Sequence, residues 1–242
     1  MAETIIAWTD FTFNPWMGCQ KISPGCKNCY AETLTKNRMG LSLWGPNGQR
    51  QVTKTPWDNL HKLNRQAVAS GETKKVFCGS LMDWAEDHPV AESTRPRLWE
   101  AVRDSRGLIF QMLTKRAERV QSLLPSYWDE IKDRVWLGVS IEDSDWAWRA
   151  DHIRDIDSAV RFISYEPALG SIGPIDLAGI DWLIYGGESG SGYRPEDKQW
   201  ARDAMARCRE FGTAFFHKQS AAFRTEIGIE LDGQIVREYP NG

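Results

Sequence analysis

The chain of 242 residues contains no run of about 18 consecutive apolar residues, so no membrane-spanning helix is predicted. Its first residues lack a basic segment followed by an apolar stretch and a cleavage pattern, so a secretory signal is not expected. The formal net charge of −3 argues against a protein that coats nucleic acid through a general positive field. We therefore expect a cytoplasmic protein.

Histidine and cysteine are both scarce, with four and five residues. The sequence has no H-E-x-x-H pattern and no compact histidine set, so a zinc hydrolase lacks its usual ligands. An odd number of cysteines without a signal peptide favours metal or redox chemistry over a disulfide framework. Cys78 and Cys208 stand alone in apolar or amphipathic segments, where we expect buried, inert thiols.

Short apolar strands alternate with amphipathic helices along the chain. Several strands are apolar on both faces, which is typical of a parallel sheet covered by helices. Six strands are predicted at 76–81, 108–113, 135–141, 160–165, 182–185 and 214–217, with a first strand at 11–16. Helices are predicted at 93–105, 116–124, 145–155 and 197–211, and a long loop at 40–56.

This succession of about seven β/α steps predicts an α/β fold, a single full or partial (β/α) barrel of parallel strands. An open doubly wound sheet is the alternative. We expect one domain over residues 1–242, with a cysteine-rich loop at 18–30 and a short acidic tail from about residue 226 to residue 242. The tail is expected to form a small hairpin around Asp232 and Gly233.

Polar residues follow the carboxyl ends of six predicted strands, where barrels and open α/β sheets place their chemistry. Their common position predicts one polar pocket at this edge of the sheet. For any single charged residue, a structural ion pair that closes the rim is the competing interpretation. The charged members of this set are Asp83, Lys115, Arg116, Glu142, Glu166, Glu188 and Lys218.

Cys19, Cys26 and Cys29 lie in C-x6-C-x2-C order. Two residues between thiols allow the chain to wrap around one edge of a metal site, and a Pro-Gly turn brings the chain back towards the first cysteine. A helix is predicted to begin at Tyr30, and its N-terminal dipole favours thiolates at the last two cysteines.

Three interpretations of these thiols remain open. An open [4Fe-4S] site would keep one iron free for a substrate or cofactor, and this is the interpretation that we favour. A closed cluster would recruit Cys78 or Cys208. A zinc site would recruit a distant histidine from His61, His88, His152 and His217.

An ordered series of motifs resembles a known family. It begins with WTDFTFNPWMGCQKISPGCKNCYAE and continues with LTKR, VSIED, SYEPALG, GGESG, RP and FFHKQ. The series runs from Trp8 to about Gln219 and is similar to the phage Gp37/Gp68 family of three-Cys-motif proteins, DUF5131. That family resembles radical S-adenosylmethionine enzymes, which have a partial or full (β/α) barrel.

The resemblance implies that Cys19, Cys26 and Cys29 hold a [4Fe-4S] cluster whose fourth iron binds S-adenosylmethionine (SAM). Electron transfer would cleave SAM to a 5′-deoxyadenosyl radical that acts on an unidentified substrate, with a nucleic acid base as a candidate. Such an enzyme needs an electron donor. The alternative is a non-catalytic nucleic-acid-binding phage protein stabilised by zinc or an iron–sulfur cluster.

If SAM binds, Asp83, Ser140 and Glu142 are placed at strand ends to accept hydrogen bonds from its amine and ribose hydroxyls. The residue before the last cysteine is usually aromatic in radical SAM enzymes and touches the adenine. Here that residue is Asn28, and Tyr30 is the candidate to take its place.

Glu166 and Glu188 are expected to orient a substrate or exchange protons. Burial of the two carboxyls beside one another is expected to raise the pKa of at least one of them. Lys115 and Lys218 are expected to neutralise them.

Partners expected from the sequence are the unidentified substrate, an electron donor, and a nucleic acid or a partner protein. Residues 201–224 form a modest basic region, with five basic residues against two acidic ones. Tryptophans in or beside predicted rim loops are candidates to stack on an adenine or a base. They are Trp16, Trp44, Trp57 and Trp84.

Overall fold

The computed structural model describes residues 3–240, so residues 1, 2, 241 and 242 of the predicted domain and tail lie outside it. Nine strands and five α-helices form in this part of the chain. The strands are β1 Phe11–Phe13, β2 Trp16–Met17, β3 Gln51–Val52, β4 Lys74–Cys78, β5 Leu108–Thr114, β6 Val135–Ser140, β7 Val160–Tyr165, β8 Trp182–Gly186 and β9 Ala214–Gln219. The helices are α1 Tyr30–Met39, α2 Thr55–Ser70, α3 Pro89–Asp104, α4 Val120–Leu123 and α5 Lys198–Phe211.

Seven of the strands form one parallel sheet in the order β1, β4, β5, β6, β7, β8, β9. The spatial order follows the chain order throughout, whereas a doubly wound sheet reverses direction at a switch point. The sheet therefore curls into a partial (β/α) barrel, and the predicted fold class is confirmed. The other two strands, β2 and β3, form a separate antiparallel pair beside it.

Most predicted strands are found within a few residues of their expected bounds, and β7 matches at both ends. The predicted strand at 11–16 is wrong in its second half, because β1 ends at Phe13 and the chain leaves the sheet to form β2. The predicted helix at 145–155 is a 3-10 helix, Ser144–His152. Of the predicted helix at 116–124, a short 3-10 turn and the one-turn helix α4 remain.

The outer face of the sheet is covered by helices. Side chains alternate between the two faces of a strand, so every second residue of these strands points towards α2, α3 and α5. Val76, Phe110, Leu137, Ile163 and Leu183 are among the fully buried members of this core. Parallel strands that are covered in this way explain the apolar runs seen in the sequence.

The concave face carries a second, smaller apolar cluster near the amino ends of the strands. Aromatic rings dominate it, with Trp8 packed at centroid distances of 4.7 Å from Phe77 and 6.3 Å from Trp182. We call this cluster the aromatic floor. Its buried members are Trp8, Phe77, Trp136, Val160, Phe162, Trp182, Ile184 and Phe216.

Segments near both ends of the chain contact the aromatic floor through hydrogen bonds. The indole of Trp182 donates to the carbonyl of Glu238 at 2.9 Å, and the hydroxyl of Tyr239 donates to that of Ala7 at 3.1 Å. The predicted hairpin in the tail is present as an antiparallel bridge between Leu231 and Gln234. No helix within residues 3–240 has the length and hydropathy that a membrane crossing requires.

Candidate active site

The side chains on the concave face change from aromatic at the aromatic floor to small and polar at the carboxyl edge of the sheet. Two residues beyond Phe162, Ile184 and Phe216 on the same face are Ser164, Gly186 and Lys218. Ser140 occupies the corresponding position at the end of β6. Small and polar side chains therefore line this end of the partial barrel, as the sequence predicted.

The cysteine-rich loop follows β1 and β2 and leads into α1. Cys29 is the residue that precedes the first helical turn, so the predicted helix start at Tyr30 is confirmed. Cys19, Cys26 and Cys29 are free thiols, and all three are partly exposed. This loop therefore presents three sulfur atoms that form no disulfide, beside the carboxyl edge of the sheet.

The donor set fits a cluster held by three thiolates. No three His, Cys, Asp or Glu side chains among residues 3–240 converge as they would around a single metal ion. A cluster does not require such convergence, because each thiolate binds a different iron. Cys78 and Cys208 are fully buried in the core of the outer face, as expected of inert thiols, so neither is available as a fourth ligand.

The sulfur atoms of Cys19 and Cys29 are poorly solvated, although both residues are partly exposed. Burial raises the pKa of Cys19, and the neighbouring Asp83 adds to the increase, while Arg116 opposes it. Burial also raises the pKa of Cys29, although backbone N–H groups of α1 act in the opposite direction. Because metal ligands must be thiolates, metal binding at this loop would release protons.

Arg116 connects the first cysteine to the sheet. Its guanidinium donates to the sulfur of Cys19 at 3.7 Å and to the carbonyl of Gln20 at 3.0 Å. The same side chain donates to Asp83 at 2.7 Å, and the pair is about nine-tenths buried. Arg116 therefore fixes the position of Cys19 and supplies a positive charge beside its sulfur.

Asp83 has little capacity left for a ligand. One of its oxygens accepts from Ala85 N and from the hydroxyl of Thr114, and the other from Lys115 N and Arg116. These four bonds occupy the acceptor positions of a carboxylate. The structure thus places Asp83 in the loop that follows β4, at the predicted edge of the sheet, but in a structural network.

Glu142 is also committed, and it is fully buried. It accepts from Lys115 at 2.7 Å, from Arg149 at 3.0 Å and from the hydroxyl of Ser23 at 2.5 Å. The cysteine-rich loop approaches so closely that a Cβ on Gly25 would lie 2.5 Å from the carboxylate. Lys115 was predicted to neutralise Glu166 or Glu188, and this is corrected, because its partner is Glu142.

Glu188 fastens the far end of the loop. It forms an ion pair with Arg194 and accepts from the side-chain amide of Asn28 at 3.0 Å. Burial disfavours the charged form of Glu188, but the bonds from Arg194 and Asn28 outweigh it and hold the pKa below the ordinary carboxyl value. This direction is opposite to the rise expected for buried, adjacent carboxyls, because the partner of Glu188 is an arginine and not Glu166.

Glu86 and Arg50 form a further anchor that the sequence did not reveal. They make a bidentate pair at 2.7 Å and 2.8 Å in which both side chains are almost fully buried. Glu86 also accepts from the backbone N–H of Gln20 at 2.8 Å. The sequence contained one indication of this role, since Glu86 lies in the same loop after β4 as Asp83.

We call the carboxyl edge of the sheet, with its charged side chains, the rim. Glu166 and Lys218 form an ion pair at the rim that does not bind the cysteine-rich loop. Their ion pair measures 2.6 Å, and the side chains keep 16% and 14% of their surface exposed. A Cβ on Gly186 would lie 2.6 Å from the carboxylate, so glycine there makes room for Glu166. Lys218 neutralises Glu166 as predicted, and the pair faces the polar end of the concave surface.

Tyr30 and Ser140 complete the predicted set. The hydroxyl of Tyr30 donates to the carbonyl of Ser80 at 2.7 Å, while half of the residue stays exposed at the mouth of the site. Burial of that hydroxyl raises the pKa of Tyr30, and the charges of Cys29 and Glu166 add to the effect. Ser140 is buried, and within residues 3–240 its hydroxyl has no hydrogen-bond partner.

A family model described as "Protein of unknown function (DUF5131)" matches residues 3–240 of the chain. A search of curated proteins found no match.

Among solved structures, the chain is similar to two of spore photoproduct lyase. A mutant with bound AdoMet and dinucleoside spore photoproduct has a TM-score of 0.48 and 13% identity, over 87% of this chain and 64% of that chain. A complex with dinucleoside spore photoproduct has a TM-score of 0.45 and 14% identity, over 81% of this chain and 60% of that chain. The match thus spans less than two thirds of either lyase chain.

Proposed function

The chain belongs to the DUF5131 family, and from that premise we propose that it is an iron–sulfur enzyme of the radical SAM type. One observation carries the proposal. Three free thiols lie on the loop that follows the first strand of a partial (β/α) barrel, at the carboxyl edge where Ser140, Glu166 and Lys218 also lie. The motif series in the sequence supports the same function.

Cys19, Cys26 and Cys29 would hold a [4Fe-4S] cluster through three thiolates. The two remaining cysteines are buried on the opposite face of the sheet, so one iron would keep an open position for SAM. When both are bound, the cluster and SAM supply a 5′-deoxyadenosyl radical. The protein supplies position, charge and exclusion of water.

The buried ion pairs at the rim would hold the cysteine-rich loop in register with the pocket. Glu86, Glu142 and Glu188 each accept a hydrogen bond from a different part of this loop, at Gln20, Ser23 and Asn28. Asp83 acts on the loop through Arg116. We therefore revise the role of Asp83 and Glu142 from cofactor binding to positioning of the cluster ligands.

Glu166, Lys218 and Ser140 are then the groups that face bound molecules. Lys218 would carry a proton at Nζ that it can donate to a substrate oxygen or nitrogen, and Glu166 Oε1 would hold that ammonium in place. The uncommitted hydroxyl of Ser140 can accept a hydrogen bond from a cofactor amine or ribose. The aromatic floor lies next to these groups on the concave face and would exclude water from that side of the site.

The proposal is tested by reconstituting the protein anaerobically with iron and sulfide, then adding SAM and a strong reductant. We expect about four irons per chain, visible absorbance, and formation of 5′-deoxyadenosine without added substrate. Cys78→Ala is the matched control, since this buried thiol should not affect either result. Stoichiometric zinc, or a full cluster that yields no 5′-deoxyadenosine, would overturn the proposal.

A non-catalytic, metal-stabilised nucleic-acid-binding protein is the second candidate. An exposed group of aromatic and basic side chains beside the rim favours it, with Phe223 63% exposed next to Arg224. Formation of 5′-deoxyadenosine distinguishes the two candidates, because a binding protein that retains its metal would not cleave SAM.

A further inference from the structure

The charge at the mouth of the site differs from what the sequence suggests. Glu86, Glu142, Glu166 and Glu188 are each paired with a lysine or arginine inside the protein, as is Asp83. These carboxylates are largely buried, so they contribute little negative field to the surrounding surface. The exposed side chains beside the mouth then determine what the surface attracts.

Two exposed cations and two exposed aromatic residues lie on adjoining loops there. We call Lys27, Tyr193, Phe223 and Arg224 the mouth patch; Tyr193 is 41% exposed and Phe223 is 63% exposed. Neither Lys27 nor Arg224 has a carboxylate partner within ion-pair distance among residues 3–240.

Hydrogen bonds hold these loops together. Asn28, beside Lys27, donates to the carbonyl of Gly192 at 2.9 Å. Gly190 N donates to the carbonyl of Ala222 at 3.0 Å, and Ala222 N donates to that of Glu188 at 3.0 Å. The loops that carry the mouth patch are therefore joined to one another, and Lys27 lies on the cysteine-rich loop itself.

Exposed rings together with cations that lack a carboxylate partner fit one class of partner. Single-stranded nucleic acids bind where aromatic side chains stack on exposed bases and lysine or arginine residues contact the phosphates. A protein–protein interface would be expected to have an apolar core with few charged residues, whereas half of the mouth patch is charged. Duplex DNA would hide its bases from Tyr193 and Phe223.

We propose that the mouth patch binds single-stranded nucleic acid and brings a base towards the pocket beside Glu166 and Lys218. Phe223 and Tyr193 stack on bases, while Lys27 and Arg224 contact the flanking phosphates. The delivery of a base to the pocket rests on the function proposed above. Binding at the mouth patch stands independently of it.

The test measures fluorescence anisotropy of labelled oligothymidylate and oligouridylate of about 12 nucleotides with the reconstituted protein. Phe223→Ala is expected to weaken binding about 5- to 150-fold, which is the range for loss of one stacked base. Lys27→Gln combined with Arg224→Gln should reduce the slope of log affinity against log salt by about 1.4. Comparison of the two oligonucleotides shows whether DNA or RNA is preferred.

Phe211→Ala combined with Arg209→Gln is the matched control. It removes an exposed ring and an exposed cation at the end of α5, at the opposite edge of the sheet, and should leave binding unchanged. An abasic oligonucleotide of equal length should bind the wild-type protein more weakly than the intact one binds Phe223→Ala, because it loses stacking on both Phe223 and Tyr193.

Three results would overturn the inference: no binding at about 100 µM protein, equal binding of the abasic strand, or an equal loss in the control variant. Formation of 5′-deoxyadenosine by the same preparations separates this inference from the proposed function. If SAM is cleaved but no oligonucleotide binds, only the mouth patch fails. If the patch binds but SAM is not cleaved, only the radical function fails.

Discussion

The two ends of the concave face are built in different ways. At the amino end, the aromatic floor is packed from rings, and even the indole N–H of Trp8 is buried without a partner in residues 3–240. At the carboxyl end, carboxylates such as Glu142 and Glu188 are each satisfied by several donors. Packing of rings therefore holds the aromatic floor together, whereas ion pairs and hydrogen bonds hold the rim together.

This difference points to the purpose of the rim. Replacing a buried ion pair by apolar side chains is often neutral or stabilising, so such pairs are weak evidence for a contribution to stability. Here most rim pairs bind the cysteine-rich loop: Glu86 at Gln20, Glu142 at Ser23 and Arg194 at the carbonyl of Pro24. We infer that the rim holds three thiols in place, while the floor provides much of the packing.

The largest expected effect concerns the thiols. Cys19→Ala, Cys26→Ala and Cys29→Ala should each abolish cluster retention, because three ligands leave none to spare. Cys78→Ala and Cys208→Ala should keep it, since both thiols are buried in the outer core. Iron and sulfide content of the five purified variants decides the matter, and loss of iron from either control would indicate a closed site.

Glu142→Gln should have the next largest effect, because it leaves Lys115 and Arg149 without their anion. We expect a loss of about 3–5 kcal/mol in the free energy of unfolding, measured by denaturant titration. Asp157→Asn removes one of the two exposed carboxylates that pair with Lys132, and its effect on stability should be far smaller because solvent screens that pair. Equal effects of the two variants would contradict a special role for the rim.

Ser23→Ala separates positioning from stability at the same carboxylate. It removes the hydrogen bond from the loop to Glu142 but leaves both cationic partners in place. We expect a change of about 1 kcal/mol in stability, with faster loss of iron to a chelator. An unchanged rate of iron loss would mean that this contact does not hold the loop.

A substitution in the aromatic floor should lower stability without changing iron retention, the reverse of the result expected for Ser23→Ala. Phe162→Ala creates a cavity beneath the site and should cost about 3–5 kcal/mol of stability. Iron content of the folded variant should stay at the wild-type value, because the ring packs in the aromatic floor, whose members include no residue of the cysteine-rich loop. Loss of iron from a variant that remains folded would remove the distinction between floor and rim.

The smallest effect is a pH dependence at Glu188. Its pKa is lower in the folded protein than in the unfolded chain, so the unfolded state binds the proton more readily. The stabilisation is complete above the ordinary carboxyl value of about 4.3 and is lost as pH falls through the lower folded value. The stability difference between wild type and Glu188→Gln should therefore shrink below about pH 4.3, and growth of that difference on acidification would contradict the assignment.

The sequence predicted the sheet better than the contacts at its edge. Strands such as β7 are buried on both faces, so their apolar runs were visible directly. Helix α2 was missed because a segment rich in glycine and proline precedes it, and its second residue, Pro56, lies in the predicted loop. The order of the strands explains why six polar strand ends meet at one edge.

The partners at that edge could not be predicted, because they depend on which loops meet in space. Asn28 and Glu188 are 160 positions apart in the chain. Three of the tryptophans expected to stack on a ligand, Trp16, Trp57 and Trp84, are buried in the core instead. Besides Tyr30, the mouth carries the exposed rings of Tyr193 and Phe223, whose loops only the folded chain brings together.

The central claim is an open iron held by three thiolates, and electron paramagnetic resonance of the reduced cluster tests it most directly. Adding SAM should shift the spectrum of the wild-type protein and of Cys78→Ala alike, because SAM would bind the iron that no cysteine occupies. A spectrum that stays unchanged at saturating SAM, in a protein with a full complement of iron and sulfide, would contradict the claim.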